Sequence, residues 1–405
     1  MQGESGEGAL RALHVINNLE VGGAQEVVRT LMPALRSAGV ESSVATLRDG
    51  PLREPLEAEG IPVAVLQART RSIVNDPRAI LELRRLYGDL AEMIERERID
   101  VIQTHLMRSI DFLMLGLTHR GRRPSVVWTF HNARLDLRVD QLAQRRWLLA
   151  PKRVGYRTLY RRGSSLVGAI VAVSDDVARA VREGIRPAPG RLVTISNGVD
   201  TTRFHPSVVA VSRGELGVPD DAFLFACVAK FHEQKGHRIL IDALASMPQT
   251  APPVHVALLG TGPLRAEIEE QARARGVDQR LHLLGTRADI PNVLQGADAS
   301  VLPSLWEGLP MALLEAMASR LPVVATAVSG TRQVITDGTH GLLVEPGDAA
   351  SLGAAMARLV NDPALRDRLA VGGLERVRSD FSARAQAARH RDLYLALAAR
   401  RSHGS

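Results

Sequence analysis

The chain has 405 residues, of which 45% are apolar and 23% charged. These are ordinary globular proportions, and they exclude wholesale disorder, a fibrous repeat and a single small module. Its 51 basic and 44 acidic side chains leave a formal charge of +7, and Cys227 as the only cysteine rules out an intramolecular disulfide or a cysteine cluster for zinc.

No run approaches the roughly eighteen uninterrupted apolar residues of a membrane-spanning helix, and the opening residues lack the basic-then-apolar plan of a secretion signal, so a cytoplasmic protein is expected. Residues 9–16 read as a buried strand, followed by a glycine turn at Gly22 and Gly23 and an amphipathic helix over 24–37. Strands are predicted at 41–47 and 62–66, a long helix over 77–97, strands at 100–104 and 125–130, a second helical stretch over 140–163, and short strands at 170–174 and 192–195. This alternation predicts an α/β domain with a mostly parallel sheet. Periodicity weakens from Thr201 to Ala222, where Pro206, Gly214, Gly217 and Pro219 suggest the hinge. A second series follows, with strands at 222–229, 254–259, 281–284, 299–302, 323–325 and 341–344 and helices at 236–246, 263–275, 310–319 and 350–360. The end, 382–401, is helical. The predicted division is 1–203, 204–381 and a terminal helix over 382–405.

Seven basic residues, Arg145, Arg146, Lys152, Arg153, Arg157, Arg161 and Arg162, lie in 141–168 with no acidic residue among them and equal the whole net charge. The rest of the chain is balanced, which argues against a nucleic-acid partner and for one local basic face. Trp147, Leu148, Leu149, Tyr156, Leu159 and Tyr160 are interleaved with it, the composition of a helix that attracts an acidic membrane surface or of a solvated helix packed by its apolar side.

Ligands of open parallel sheets bind beyond the strands' carboxyl ends. After the strand ending near Leu302 come Glu307, Gly308, Leu309 and Pro310, and then Glu315 inside the next helix. Pro310 suits a first helical position, so helix-start amides would meet an anion while the two glutamates accept the hydroxyls of a sugar or ribose. Lys230 and Lys235, two of only three lysines, follow the second domain's first strand and would stabilise a departing diphosphate. No Asp-x-Asp triplet occurs to clamp a divalent metal. Gly22-Gly23 and Gly260 with Gly262 let backbone approach a ligand closely, yet Arg265 breaks the dinucleotide fingerprint, which disfavours an oxidoreductase. His131 emerges at the carboxyl end of a first-domain strand, with His105 a competitor for its role.

This constellation resembles the retaining glycosyltransferases of family 4, over almost the whole chain. The resemblance is carried by the Glu-x7-Glu element from Glu307 to Glu315, by 316–325 and 338–344 after it, and by Gly22-Gly23-Ala24-Gln25, 172–174 and 197–200 in the first half. It implies the GT-B fold: two facing Rossmann-like domains, acceptor domain first and nucleotide-sugar domain second, with an interdomain cleft and a last helix crossing back to the first. It further implies that Glu307 and Gly308–Pro310 hold the transferred sugar, Glu315 the ribose, Lys230 and Lys235 the diphosphate, His131 the donor sugar, Gly22 and Gly23 the phosphate side, and Gly285, Thr286 and Arg287 the base. Where the family usually has arginine this chain has Lys230, which keeps charge but loses bidentate geometry. The implied reaction moves a hexose-type sugar from a UDP- or GDP-sugar to an acceptor hydroxyl with retention, without cofactor or essential metal. A lipid-linked or saccharide acceptor, cell-surface polysaccharide or glycolipid synthesis and peripheral attachment to the inner membrane face through 141–168 are the associated expectations. A nucleotide-sugar epimerase of the same fold and a non-catalytic nucleotide- or glycan-binding protein are the alternatives.

Overall fold

The computed structural model describes residues 9–20, 22–67, 78–105, 111, 114–116, 124–131, 149–247 and 252–402. The chain forms two compact units, one comprising Gly198–Ser382 and the other the preceding residues together with those from Ala383 onward.

In the first unit, β1 (Leu10–Asn18), β2 (Val40–Arg48), β3 (Val63–Val65), β4 (Val101–His105), β5 (Ser125–Phe130), β6 (Ala169–Ala172) and β7 (Leu192–Thr194) form one sheet. Its order is β3-β2-β1-β4-β5-β6-β7, with every pairing parallel. Both faces are packed, so the strands are apolar almost throughout. Leu13 and Val15 of β1 join one core, with Ile102 and Val126, while Ala12 and Ile16 join the other, with Leu31, Val101 and Val127. The terminal helix Ala383–Ser402 packs on this second face, where Ala387, Tyr394 and Leu397 meet the residues of helix Gly23–Ser37.

The second unit repeats the plan with β8 (Phe223–Val228), β9 (Val254–Leu259), β10 (Leu281–Gly285), β11 (Ala299–Leu302), β12 (Val323–Thr326) and β13 (Leu342–Val344). The order is β10-β9-β8-β11-β12-β13, again all parallel. In each sheet the strand order reverses direction beside the first strand, at β1/β4 and β8/β11, where ligand crevices form in this class of sheet. Alternation along β8 sends Phe225 and Cys227 to one core and Leu224 and Ala226 to the other.

The expected hinge over 201–222 is corrected. The units divide between Asn197 and Gly198, and Phe204, Leu216 and Val218 are buried in the second core. Its proline and glycine residues interrupt the periodicity without removing these anchors. Val199 pairs with Ser382 in a parallel bridge, so both ends of the second unit lie side by side. Residues 173–174 leave the predicted strand: Ser174 instead caps helix Asp175–Gly184, accepting from Val177 N at 3.3 Å. The helical stretch from 140 is described only as Leu149–Gly163; residues 140–148, with Arg145, Arg146, Trp147 and Leu148, lie outside the described residues. Among the described residues no helix is long and apolar enough to cross a membrane.

Candidate active site

The loops leaving β8 and β11 are built into each other. A single 3₁₀ turn, Glu233–Lys235, ends in Gly236 at φ +65°, and a Cβ there would lie 2.0 Å from the Pro303 carbonyl oxygen. Only glycine permits both the left-handed backbone and that approach. Leu305 N donates to Gln234 O at 2.8 Å, and Gln234 Nε2 donates to Trp306 O at 2.8 Å and to Glu307 Oε2 at 3.3 Å. Ser304 Oγ donates to Glu307 Oε1 at 2.7 Å, and Lys235 Nζ forms an ion pair with the same oxygen. Glu307 is thus engaged at both carboxylate oxygens, with its side chain 7% exposed against 22% for Lys235.

This loop is also held from the β12 side. Thr326 Oγ1 donates to Ser304 O, Thr331 Oγ1 to Thr326 O, and a Cβ on Gly330 would stand 2.5 Å from Gly308 O. Pro310 stands just outside helix Met311–Ala318 as its cap, at φ −78° and ψ 112°, and not in the first turn as expected. A proline lacking its N–H costs nothing in either position. Glu315 is half-buried within that helix and Lys230 is exposed. Among the described residues no three His, Cys, Asp or Glu side chains gather as a metal site.

Gly260 and Gly262 pack their own loop against its neighbour. Their Cβ atoms would meet Ala229 O at 2.1 Å and Phe231 O at 2.5 Å. Their close approach is therefore to the backbone flanking Lys230, and the two glycines nest the β9 loop on the lysine loop. Gly260 N donates to Gly285 O at 2.8 Å, and Thr261 and Thr286 hydroxyls lie 3.4 Å apart, so Gly285 and Thr286 continue the same rim. Arg287 is committed to Asp289 through contacts of 2.8 and 2.5 Å.

The first unit holds the other expected residues. Gly22 caps helix Gly23–Ser37 from an extended conformation, and among the described residues nothing lies within 4 Å of where a Cβ on Gly23 would sit. His131 is half-buried beyond β5, its Nε2 3.1 Å from Nδ1 of His105. Of the two, His131 is the more open, since His105 is 2% exposed. Burial lowers the His131 pKa to about 4. The crevice lined by His131, His105 and Thr129 also contains Asn197, whose buried Oδ1 meets no hydrogen-bond partner among the described residues.

On helix Leu149–Gly163, Arg157, Arg161 and Arg162 are exposed. Leu159 is 53% exposed and Leu166, just past the helix, 65%. Tyr160 does not join this surface; it packs edge-on against Trp128 and donates to Asp111 Oδ2 at 2.6 Å. Gln234, Ser304, Thr326 and Gly330 escaped the sequence reading. For Ser304 the available signal was Ser-x-x-Glu before a helix, a spacing that places a hydroxyl beside the carboxylate.

Two family models match the chain in tandem, one described as Glycosyltransferase Family 4 over residues 21–203 and one as Glycosyl transferases group 1 over 209–376. A UDP-Gal:alpha-D-GlcNAc-diphosphoundecaprenol alpha-1,3-galactosyltransferase of Escherichia coli is 26% identical over 310 residues, 73% of this chain and 74% of that protein. The lipopolysaccharide core biosynthesis glycosyltransferase LpsD of Rhizobium meliloti is 32% identical over 244 residues, 60% of this chain and 66% of its own length. Anabaena HepE, solved in complex with UDP and glucose, is similar at a TM-score of 0.79 and 20% identity, over 96% of this chain and 100% of that one. A sucrose-phosphate synthase from Thermosynechococcus elongatus is similar at 0.74 and 23%, over 96% and 99%. Together with the two parallel sheets, these likenesses establish the two-domain Rossmann-like GT-B fold.

Proposed function

Because the chain belongs to the family 4 glycosyltransferases, we propose that it transfers a hexose-type sugar from a nucleoside diphosphate, UDP before GDP, to a hydroxyl of a lipid-linked saccharide with retention of anomeric configuration. The observation that carries this reading is the Lys235–Glu307 pair at the β8/β11 switch point. A cation for a leaving diphosphate and an acceptor for sugar hydroxyls are held there by the same two loops. The HepE complex with UDP and glucose supports the choice of UDP, and the undecaprenol-linked substrate in the name of the E. coli relative supports the acceptor class.

In this reading Lys230 and Lys235 neutralise the departing diphosphate, backbone at Gly308–Pro310 and the Glu307 carboxylate orient the hexose, and Glu315 takes the ribose hydroxyls. Gly262, Gly285, Thr286 and Arg287 form the nucleotide rim, and Gly22 and Gly23 present helix-start backbone to phosphate. His131 meets a hydroxyl of a bound sugar. The attack is front-face, with a diphosphate oxygen taking the acceptor proton as the glycosidic bond to that diphosphate breaks, so it requires no carboxylate nucleophile and no metal. Helix Leu149–Gly163 brings the chain to an acidic membrane face through Arg157, Arg161 and Arg162, with Leu159 and Leu166 entering the interface.

The test is a panel of UDP- and GDP-hexoses, with and without chelator, against an undecaprenyl-diphosphate-linked saccharide. Transfer with an unchanged anomeric signal in the product supports the reading, and so does a melting temperature raised by the productive donor. A chain that no nucleotide sugar protects or serves as donor for refutes it.

A further inference from the structure

The face of the first sheet that receives the terminal helix carries an unbroken file of polar side chains. Gln386, His390 and Tyr394 recur every fourth residue and so share one stripe of that helix. Opposite them stand His14 on β1, Gln103 and His105 on β4, and Thr129 on β5, with His131 just beyond it. His14, Gln103, His105, Thr129, His390 and Tyr394 are all 4% exposed or less. Burial holds the His14 pKa at about 3 and that of His390 at about 4, and lowers that of His105 well below the usual value, so these rings are neutral and each has one donor and one acceptor nitrogen.

The hydrogen bonds then have only one consistent direction. His390 Nδ1 lies 3.0 Å from the Gln386 carbonyl, which can only accept, so the His390 proton is on Nδ1 and its Nε2 is the acceptor. Gln103 Nε2 supplies that acceptor at 3.3 Å and gives its other proton to Thr129 Oγ1 at 2.7 Å. This fixes the amide with Oε1 toward Tyr394, whose hydroxyl donates to it. The Tyr394 oxygen, having spent its proton, accepts from His14 Nε2 at 3.4 Å. His14 Nδ1 is therefore bare and accepts from His105 Nε2 at 3.0 Å, and His105 Nδ1 in turn accepts from His131 Nε2 at 3.1 Å. Ring centroids 5.3 Å apart with interplanar angles of 25° and 29° place these imidazoles edge to edge, as in-plane N–H···N bonds require.

We propose that this file, anchored on one backbone carbonyl, fixes His131 as the Nε2–H tautomer and leaves its Nδ1 a standing acceptor for a substrate hydroxyl. His105, His14, Tyr394, Gln103 and His390 are its positioning residues. A ring so directed takes a hydrogen bond from a sugar O–H and gives none to a phosphate oxygen. The hydroxyl assignment rests on the proposed transferase reading; the tautomer does not.

The experiment is ¹⁵N-labelling of the histidines in the full chain, with long-range ¹H–¹⁵N correlation read without substrate, for the wild type and Tyr394→Phe. The wild-type His131 ring should be protonated at Nε2 alone. Tyr394→Phe removes the acceptor for His14 Nε2–H, so His131 should become a mixture of tautomers and turnover should fall by about fivefold, the scale of one misdirected hydrogen bond. Tyr160→Phe, buried but outside the file, should leave the His131 spectrum as it was. A wild-type ring protonated at Nδ1 overturns the proposal even if the variant fails to fold. So does a Tyr394→Phe ring that keeps the pure Nε2–H form with wild-type turnover. An enzyme inert toward every nucleotide sugar but showing the wild-type tautomer would sink the transferase reading alone.

Discussion

Replacing Glu307 with glutamine should move nucleotide binding and catalysis in opposite directions. With Glu307 7% and Lys235 22% exposed, their attraction acts through neither bulk water nor a dry core. At an effective dielectric near 20, unit charges about 4 Å apart attract by about 4 kcal/mol. Desolvation of the two ions offsets most of that, leaving about 1–2 kcal/mol that an arriving diphosphate must overcome to recruit the ammonium. Glutamine keeps the shape and can still accept from Ser304 Oγ, but it no longer competes for Lys235. UDP should then bind about tenfold tighter, since 1.4 kcal/mol is one decade. Transfer should fall by about a hundredfold or more, because a neutral amide is a weaker acceptor for hexose hydroxyls as charge develops. Calorimetric titration with UDP and single-turnover transfer from the UDP-hexose read the two effects separately, and Lys235→Met should weaken UDP binding. The reasoning fails if Glu307→Gln weakens UDP binding in step with turnover, for then the carboxylate would serve only to hold its loop.

The two glycine turns should respond differently to alanine. Gly260→Ala drives a Cβ to 2.1 Å from Ala229 O and should lower stability by about 3 kcal/mol or more in urea unfolding, whereas Gly23→Ala meets open space and should change it by less than about 1 kcal/mol; equal losses would refute the packing account. Histidines His14, His105, His131 and His390 bind protons less readily in the folded unit than in the unfolded chain. Their contribution is therefore fully present above about pH 6.5 and is lost as pH falls toward 4, at up to about 1.4 kcal/mol per pH unit for each. A urea midpoint for the first unit that stays flat between about pH 7.5 and pH 5.5 would contradict this. Vesicles containing anionic lipid should retain the protein at low salt and release it near 1 M salt, where screening acts over about 3 Å. Leu159→Glu with Leu166→Glu should abolish retention, and a pair that still binds would place the contact elsewhere.

Strands were the most legible part of the chain because a parallel sheet buried on both faces demands short apolar runs bounded by turn residues. Residues 254–259 and 299–302 were read to the residue. Helices Asp175–Gly184 and Pro363–Asp380 were missed, although Ser174 and the Asp362-Pro363 pair mark their starts as caps. Lys235 and Glu307 were legible as charges placed after strands. Their ion pair was not, since it joins residues 72 apart in sequence and depends on β8 lying beside β11. The glycines were legible as close approaches, but what they approach is set by the neighbouring loop.

The polar residues inside the first sheet carry a further lesson about the terminal helix. His14, Gln103 and His105 lie in strands that otherwise read as plain core, and a buried polar group left without a partner costs about 1–3 kcal/mol. Their partners, His390 and Tyr394, arrive from residues nearly three hundred or more positions later. The same stripe of helix contributes Ala387 and Leu397 to the apolar packing around them. Among the described residues it is Tyr394 of this helix that gives Gln103 Oε1 its donor and His14 Nε2–H its acceptor, so the return of the chain to its first unit satisfies those buried strand residues. A sequence reading that asks of each polar residue in a buried strand which distant residue satisfies it would have had reason to bring the last helix back.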